Sequence, residues 1–236
     1  MEVSNDHNTL ADIKPSTSNI NFAVLRTREG LIYNFSIFLL WLFVISALIG
    51  MARGEVDWFV PKTPINQILG AILLVINFPL RSGRAWLMFA FAFLVGMVVE
   101  ILGVETGILF GEYHYGDNFG WKFLGVPWLI GVYWAVLTFL TGAIAHRLFR
   151  GKWWRILCAA LLMVGLDVLI EPLAHQFDFW HFTGDIAPFK NYVAWFVVAF
   201  GLQIVFVRLV EVTDFWYCLN HYLSQVAFFV GAMVVL

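Results

Sequence analysis

Apolar runs of about 20 residues, separated by short polar breaks, recur from Leu31 onward. Crossing a bilayer's hydrocarbon core takes about 20 residues of helix. The runs predict seven spans, at about 31–52, 60–80, 85–104, 127–148, 156–174, 191–210 and 215–235. The second is the weakest because Pro64 and Pro79 interrupt it. The expected fold class is therefore all-α, a polytopic transmembrane helix bundle. Residues 1–28 form a polar tail and residues 29–236 a single transmembrane domain. The first apolar run is too long and too far along the chain for the core of a signal peptide, so it is read as the first span.

Composition sharpens this picture. Hydrophobic residues make up 61% of the 236 and charged residues 13%, about half the usual share for a soluble protein. With a net charge of -2, nucleic acid is not an expected partner. Cys158 and Cys218 form neither a disulfide framework nor a zinc pattern. Seven spans put Lys14, Arg26, Arg28, Arg81, Arg84, Arg147, Arg150, Lys152, Arg155 and Arg208 on one side. Arg53, Lys62, Lys122 and Lys190 fall on the other. The positive-inside rule makes the first side cytoplasmic. The expectation is a multi-pass protein of the cell (cytoplasmic) membrane, with its N-terminus inside and its C-terminus outside. Glu55, Asp57, Glu105, Glu112, Asp117, Asp178 and Asp185 then fall in outer loops, and Glu100, Asp167 and Glu171 in the outer halves of their spans.

These last three carry the most information, because an ionisable side chain inside a span is costly and marks a functional site by default. Asp167 and Glu171 are four residues apart, one helical turn, on one face. Two carboxyls that close in apolar surroundings do not both ionise easily, so one is expected to keep its proton. A structural hydrogen bond between spans is the plainer explanation for Asp167, but the cost of burying a carboxyl favours chemistry. Pro172 follows directly and leaves a carbonyl one turn back without its donor.

Two further clusters stand near the outer ends of spans. Gly111-Glu112-Tyr113-His114-Tyr115-Gly116-Asp117 brings acids, a histidine and two phenols together, although tyrosines at an interface are also plain anchors. His175, Asp178, Trp180 and His181 precede Pro188, Asn191 and Trp195, and the last two share a helix face. Trp128 and Trp134 open the fourth span after Gly125-Val126-Pro127. Gly103, Gly107 and Gly111, spaced by four, suggest close helix packing or, less simply, a groove for a flat ligand. His114, His175 and His181 lack the paired spacing of a metal site, so no metal is expected. The last span has no lysine for a retinal Schiff base, and there is no phosphate-binding or dinucleotide fingerprint.

Gly111 with Tyr113 and Tyr115, Gly125-Val126-Pro127, Trp134, Asp167 with Glu171-Pro172, Trp180, and Pro188 with Asn191 and Trp195 together resemble a family of bacterial and archaeal carotenoid-biosynthesis membrane proteins. That family includes hydratases acting on the acyclic ends of carotenoids. The likeness runs from about Glu100 to Trp195; where the family pattern often has an aromatic pair two apart around Trp180, His181 and Phe182 stand here. The resemblance implies cofactor-free addition of water to the terminal C1=C2 bond of a lipophilic polyene. The residues fit such chemistry, in which a carboxyl protonates the alkene, aromatic faces stabilise the tertiary cation and a second group takes a proton from water. Asp167 or Glu171 is the expected acid, with Glu100 and Glu112 next. His175 or His114 would position water. Tyr113, Tyr115, Trp128, Trp134, Trp180 and Trp195 would wall the substrate site, with Asn191 bonding an acid or the water. The alternatives are a proton-coupled transporter, which buried acids suit but for which no internal repeat is visible, and a non-catalytic carotenoid-binding protein.

Overall fold

In hydrocarbon a backbone amide has no water to bond, so each apolar run closes its hydrogen bonds within a helix. The computed structural model describes residues 28–78, 80, 82–211 and 214–236. The polar tail up to residue 27, with Lys14 and Arg26, lies outside the described residues, as do Pro79, Arg81 and the side chain of Arg28. The helices are α1 (Arg28–Ala52), α2 (Val56–Phe59), α3 (Thr63–Asn77), α4 (Gly83–Thr106), α5 (Trp128–Leu148), α6 (Lys152–Ala174), α7 (Phe189–Leu209) and α8 (Phe215–Val235). Among the described residues, seven helical segments are long and apolar enough to cross a membrane, α2 and α3 counting as one. The chain is an all-α transmembrane bundle.

Two boundaries differ from the sequence reading, each for a physical reason. Pro64 does not break the second span; it sits in the first turn of α3, where its missing N–H costs nothing. The preceding 3-10 turn, Val60–Lys62, takes Pro61 in the same way. Helix α6 begins at Lys152, not near residue 156, because Trp153 and Trp154 extend it. Both tryptophans are exposed beside basic residues, the usual dress of a helix end at the headgroup level.

Helix α5 is the axis. Its most apolar window is 83% buried, against 17% to 44% in the other six segments, and α3, α4, α6, α7 and α8 all pack on it. Helix α1 lies outside, against α8 and α3. Lipid tails are as apolar as the helices, so close packing and buried hydrogen bonds hold such a bundle together. On α4, Gly96 has no side chain where the Trp134 ring of α5 presses in. Gln203 of α7 donates to the Thr138 carbonyl at 3.0 Å and to Thr141 Oγ1 at 3.1 Å, fastening α7 to α5.

Short strands appear in the loops at one end of the bundle. In the α4–α5 connection lie β1 (Tyr113–Tyr115), β2 (Lys122–Phe123) and β3 (Val126–Pro127); β4 (Trp180–Phe182) lies between α6 and α7. β1 pairs antiparallel with β4, setting Tyr113 opposite Phe182 and Tyr115 opposite Trp180, while β2 pairs with β3. The glycines spaced by four do not form one helix stripe. Gly103 lies in α4, Gly107 ends that helix in a left-handed conformation at φ 64°, and Gly111 lies in the loop against Pro188.

Candidate active site

Side chains alternate along a strand, and β1 shows it. Tyr113 and Tyr115 turn inward and are buried, and His114 between them is exposed. Both phenols reach Glu100 of α4, donating to its Oε2 at 2.6 Å from Tyr113 and 2.8 Å from Tyr115. Trp134 Nε1 donates to Glu100 Oε1 at 2.9 Å. Gly103, one turn past Glu100 on α4, leaves room for the Tyr113 hydroxyl, which would stand 2.9 Å from any added Cβ. Burial, reinforced by the neighbouring Glu100 carboxyl, pushes both phenols well above their ordinary range, so they stay protonated and act as donors. Glu100 is 3% exposed and has a donor on each oxygen.

Asp167 is different. On α6 it is 1% exposed, and Asn191 Nδ2, from the first turn of α7, donates to its Oδ2 at 3.0 Å. Its Oδ1 is buried and has no hydrogen-bond partner. The same Asn191 amide nitrogen lies 3.4 Å from Glu171 Oε1, so one side chain spans both carboxyls. Trp180 Nε1, from β4, lies 3.3 Å from that Glu171 oxygen. The helical spacing of four and the antiparallel register of β4 thus converge on one point.

Glu100, Asp167, Glu171, Tyr113, Tyr115 and Asn191 line a small cavity of about 20 Å³, closed by Trp180 and Trp195. That is room for about one water molecule. Trp134 stands behind this wall, fully buried and stacked on Trp195 at 3.9 Å between ring centres. A second, largely apolar cavity of about 460 Å³ opens between α1, α3, α5 and α8. The two cavities share Ile130, Tyr133, Ile170 and Trp180 as walls. Tyr133 and Ile130 were not foreseen from the sequence, and neither were Phe110, Ile170 and Phe182, which complete the small cavity.

Four expected site residues lie elsewhere. Glu112 and His114 face outward at β1, and Trp128 is 37% exposed at the start of α5. His175 caps the end of α6, with its side chain 65% exposed. It meets His181 at 2.8 Å, Nδ1 to Nδ1, and His181 Nε2 meets Asp178 Oδ1 at 2.9 Å. The β1–β4 strand pair separates this outer chain of contacts from the carboxyls, with His114 stacked on His181 on its outer face. Among the described residues, no three histidines, cysteines or acids are placed to share a metal ion. Burial pushes the Asp178 carboxyl up, but hydrogen bonds from the His181 ring and the Asp117 backbone together outweigh this and hold it below the ordinary range. Gly116 has no side chain where the Asp178 carboxylate tucks in, which lets the loop close.

The sequence has relatives among known proteins. The chain is similar to the bisanhydrobacterioruberin hydratase of Haloarcula japonica, with 29% identity over 133 residues that cover 50% of this chain and 43% of that protein. It thus spans less than half of the length of that relative. No solved structure matches. Residues 62–236 match the model of the family described as carotenoid biosynthesis protein, and that stretch holds every residue of the carboxyl pocket. The chain belongs to the carotenoid biosynthesis protein family.

Proposed function

We propose that this protein is a carotenoid 1,2-hydratase, adding water across the terminal C1=C2 bond of an acyclic end group without a cofactor. The observation that carries this reading is Asp167 Oδ1, a buried carboxyl oxygen without a partner, in a pocket that shares its walls with a large apolar cavity. An unmade hydrogen bond at such an atom costs about 1–3 kcal/mol, and a reacting group that needs the atom free accounts for it. The apolar cavity suits the polyene chain, whose end group would lie against the wall that the two cavities share, and the small pocket suits one water.

In the proposed step Asp167 gives its proton from Oδ1 to C2. The π electrons form the new C–H bond and leave a tertiary cation at C1. The faces of Trp195 and Trp180 and the Tyr133 ring line the site and stabilise positive charge. Water attacks C1, and Glu171, half-buried and nearer the loops, takes the proton that water loses. The proton then returns from Glu171 to Asp167, the two carboxyls being held together by Asn191. Glu100 has its oxygens engaged by three donors and sets the electrostatics of the pocket. The substrate arrives from the bilayer. The orientation that goes with this reading has the N-terminus cytoplasmic and the site in the outer leaflet, since Arg147, Arg150, Lys152 and Arg155 gather at the opposite end.

The test is expression in cells that accumulate an acyclic-ended carotenoid, with pigments weighed by mass spectrometry. The expected product is heavier by one water with its polyene absorption unchanged. Unaltered pigment in cells whose membranes contain the protein sinks the proposal.

A further inference from the structure

An apolar hairpin stands at the end of the bundle that holds the carboxyl pocket. β2 and β3 are joined by Leu124 and Gly125, both at positive φ, 49° and 78°. Two-residue hairpin turns of this kind favour Asn-Gly, because a bulky side chain is strained in the left-handed region. Leucine stands there instead, with its side chain more than half exposed. Trp121 and Phe123 are more than half exposed as well. Side chains alternate along a strand, so these two share a face, with their rings 6.4 Å apart. Lys122 between them turns the other way. Its Nζ donates to the Tyr115 carbonyl at 2.9 Å and to Asp117 Oδ1 at 2.8 Å. The one charged residue from 118 to 128 is thus directed inward, and the face left to the surroundings is apolar.

The hairpin lies beside the spans, not beyond them. The Trp128 N–H, at the first residue of α5, donates to the Trp121 carbonyl at 3.4 Å. A Cβ on Gly125 would stand 3.4 Å from Val104 Cγ1, two residues before α4 ends. Both helices are among the segments long and apolar enough to cross a membrane. Trp121, Phe123 and Leu124 are therefore held at the level where α4 leaves the bilayer and α5 enters it. Tryptophan settles at that level, because its ring is apolar and its N–H is not. We propose that the β2–β3 hairpin is an interfacial membrane anchor, seating Trp121, Phe123 and Leu124 at the boundary between headgroups and acyl chains in the leaflet nearest the carboxyl pocket. Burial of the leucine in that boundary offsets the strain of its backbone, whereas water gives nothing in return. The anchor also bears on the site. Lys122 is bonded to the Tyr115 carbonyl, so a bilayer that holds the hairpin steadies the strand whose phenols meet Glu100. This inference is independent of the hydratase reading and needs only that the spans cross a membrane.

The experiment reads the depth of the hairpin in the full chain, reconstituted into phosphatidylcholine bilayers. Tryptophan fluorescence of the wild type is compared with that of Trp121→Phe, and the difference is the signal of Trp121. The quenchers are lipids brominated high on the acyl chain, lipids brominated near its end, and iodide in the water. The expected result is a Trp121 signal lost several-fold more to the high bromines than to the deep ones or to iodide. Loss chiefly to iodide overturns the anchor, because the hairpin then stands in water. Loss chiefly to the deep bromines overturns the interfacial level. A signal protected from all three overturns the lipid partner, because protein then covers the face, as a second copy of the chain would. A nitroxide label at Leu124→Cys gives the same reading without Trp121→Phe, on a Cys158→Ser background in which the remaining Cys218 is buried. Oxygen, which collects in lipid, should relax this label more than a water-soluble nickel chelate does, and the reverse order overturns the proposal.

Discussion

Glu100 and Asp167 are both carboxyls sealed in one pocket of one bundle, yet their surroundings differ. Glu100 accepts from two phenols and an indole, which occupies both oxygens. Asp167 accepts from one amide and keeps an oxygen idle. Burial alone therefore does not distinguish the two acids, for which different roles are proposed. Hydrogen-bond accounting does, because a buried group with every bond made resists change, and one with a bond missing is held ready for another partner. Exchanging each acid for its amide puts the contrast to the test.

The largest effect is expected at Asp167. Asp167→Asn removes the proton but keeps the shape and the bond to Asn191, so turnover should fall by about 10²–10⁴-fold, the usual worth of a general acid. Pigment affinity and unfolding in detergent should stay close to wild type. Hydrated pigment formed at an undiminished rate by this variant would move the acid elsewhere.

Glu100→Gln should reverse the pattern. The new amide nitrogen has to face either the two phenols or the indole, all of them donors here, so at least one buried bond is lost. The expected loss is about 1–3 kcal/mol of stability, seen as earlier unfolding in detergent and greater than for Asp167→Asn. Activity should fall through a loosened β1–β4 strand pair. If Glu100→Gln leaves stability unchanged while Asp167→Asn lowers it, the assignment of roles is the wrong way round.

A smaller step is Tyr115→Phe. It takes one donor from Glu100 Oε2 and leaves Tyr113 on the same oxygen. The expected cost is about 1 kcal/mol, with hydration reduced several-fold. The double variant Tyr115→Phe, Glu100→Gln should cost less than the sum of its parts, because the two side chains share a bond. Strict additivity in the measured stabilities would show that this contact is worth nothing.

The part of this site legible in the sequence is the part made of misfits. Asp167, Glu171 and Glu100 stand out because hydrocarbon-facing stretches rarely carry acids, and the spacing of Asp167 and Glu171 fixes them on one face. Tyr133 and Ile130 gave no such signal, since α5 is buried all round and any of its faces could have met the cavity, and Ile170 is one apolar residue among many in α6. The placement of Glu112 and His114 away from the carboxyl pocket has a definite cause. Tyr113-His114-Tyr115 has the alternation of a strand, inward and outward by turns, whereas grouping the residues by nearness along the chain put them all in the pocket. His175 likewise lies away from the carboxyls: it ends α6, one turn past Glu171, and turns to the outer loop. The helices themselves were legible throughout because hydrocarbon leaves the backbone few choices.

The smallest expected effect lies outside the pocket, in the clasp between the β1 and β4 loops. Asp178 accepts from the His181 ring at 2.9 Å and from the Asp117 backbone at 2.7 Å. Its carboxyl is held below the ordinary range by these bonds, in spite of partial burial. A group whose value is lowered on folding adds stability above its unfolded value, about 4 for aspartate, and loses it as pH falls through the lower folded value. Wild type should thus be slightly more stable than Asp178→Asn at neutral pH, by about one degree in melting temperature for so exposed a pair. The gap should close as the solution is made acidic, with most of the closing below pH 4. Thermal unfolding of both proteins across that range gives the answer. A gap that persists at the acid end would mean that Asp178 supports the loop through its shape against Gly116, and not through its charge.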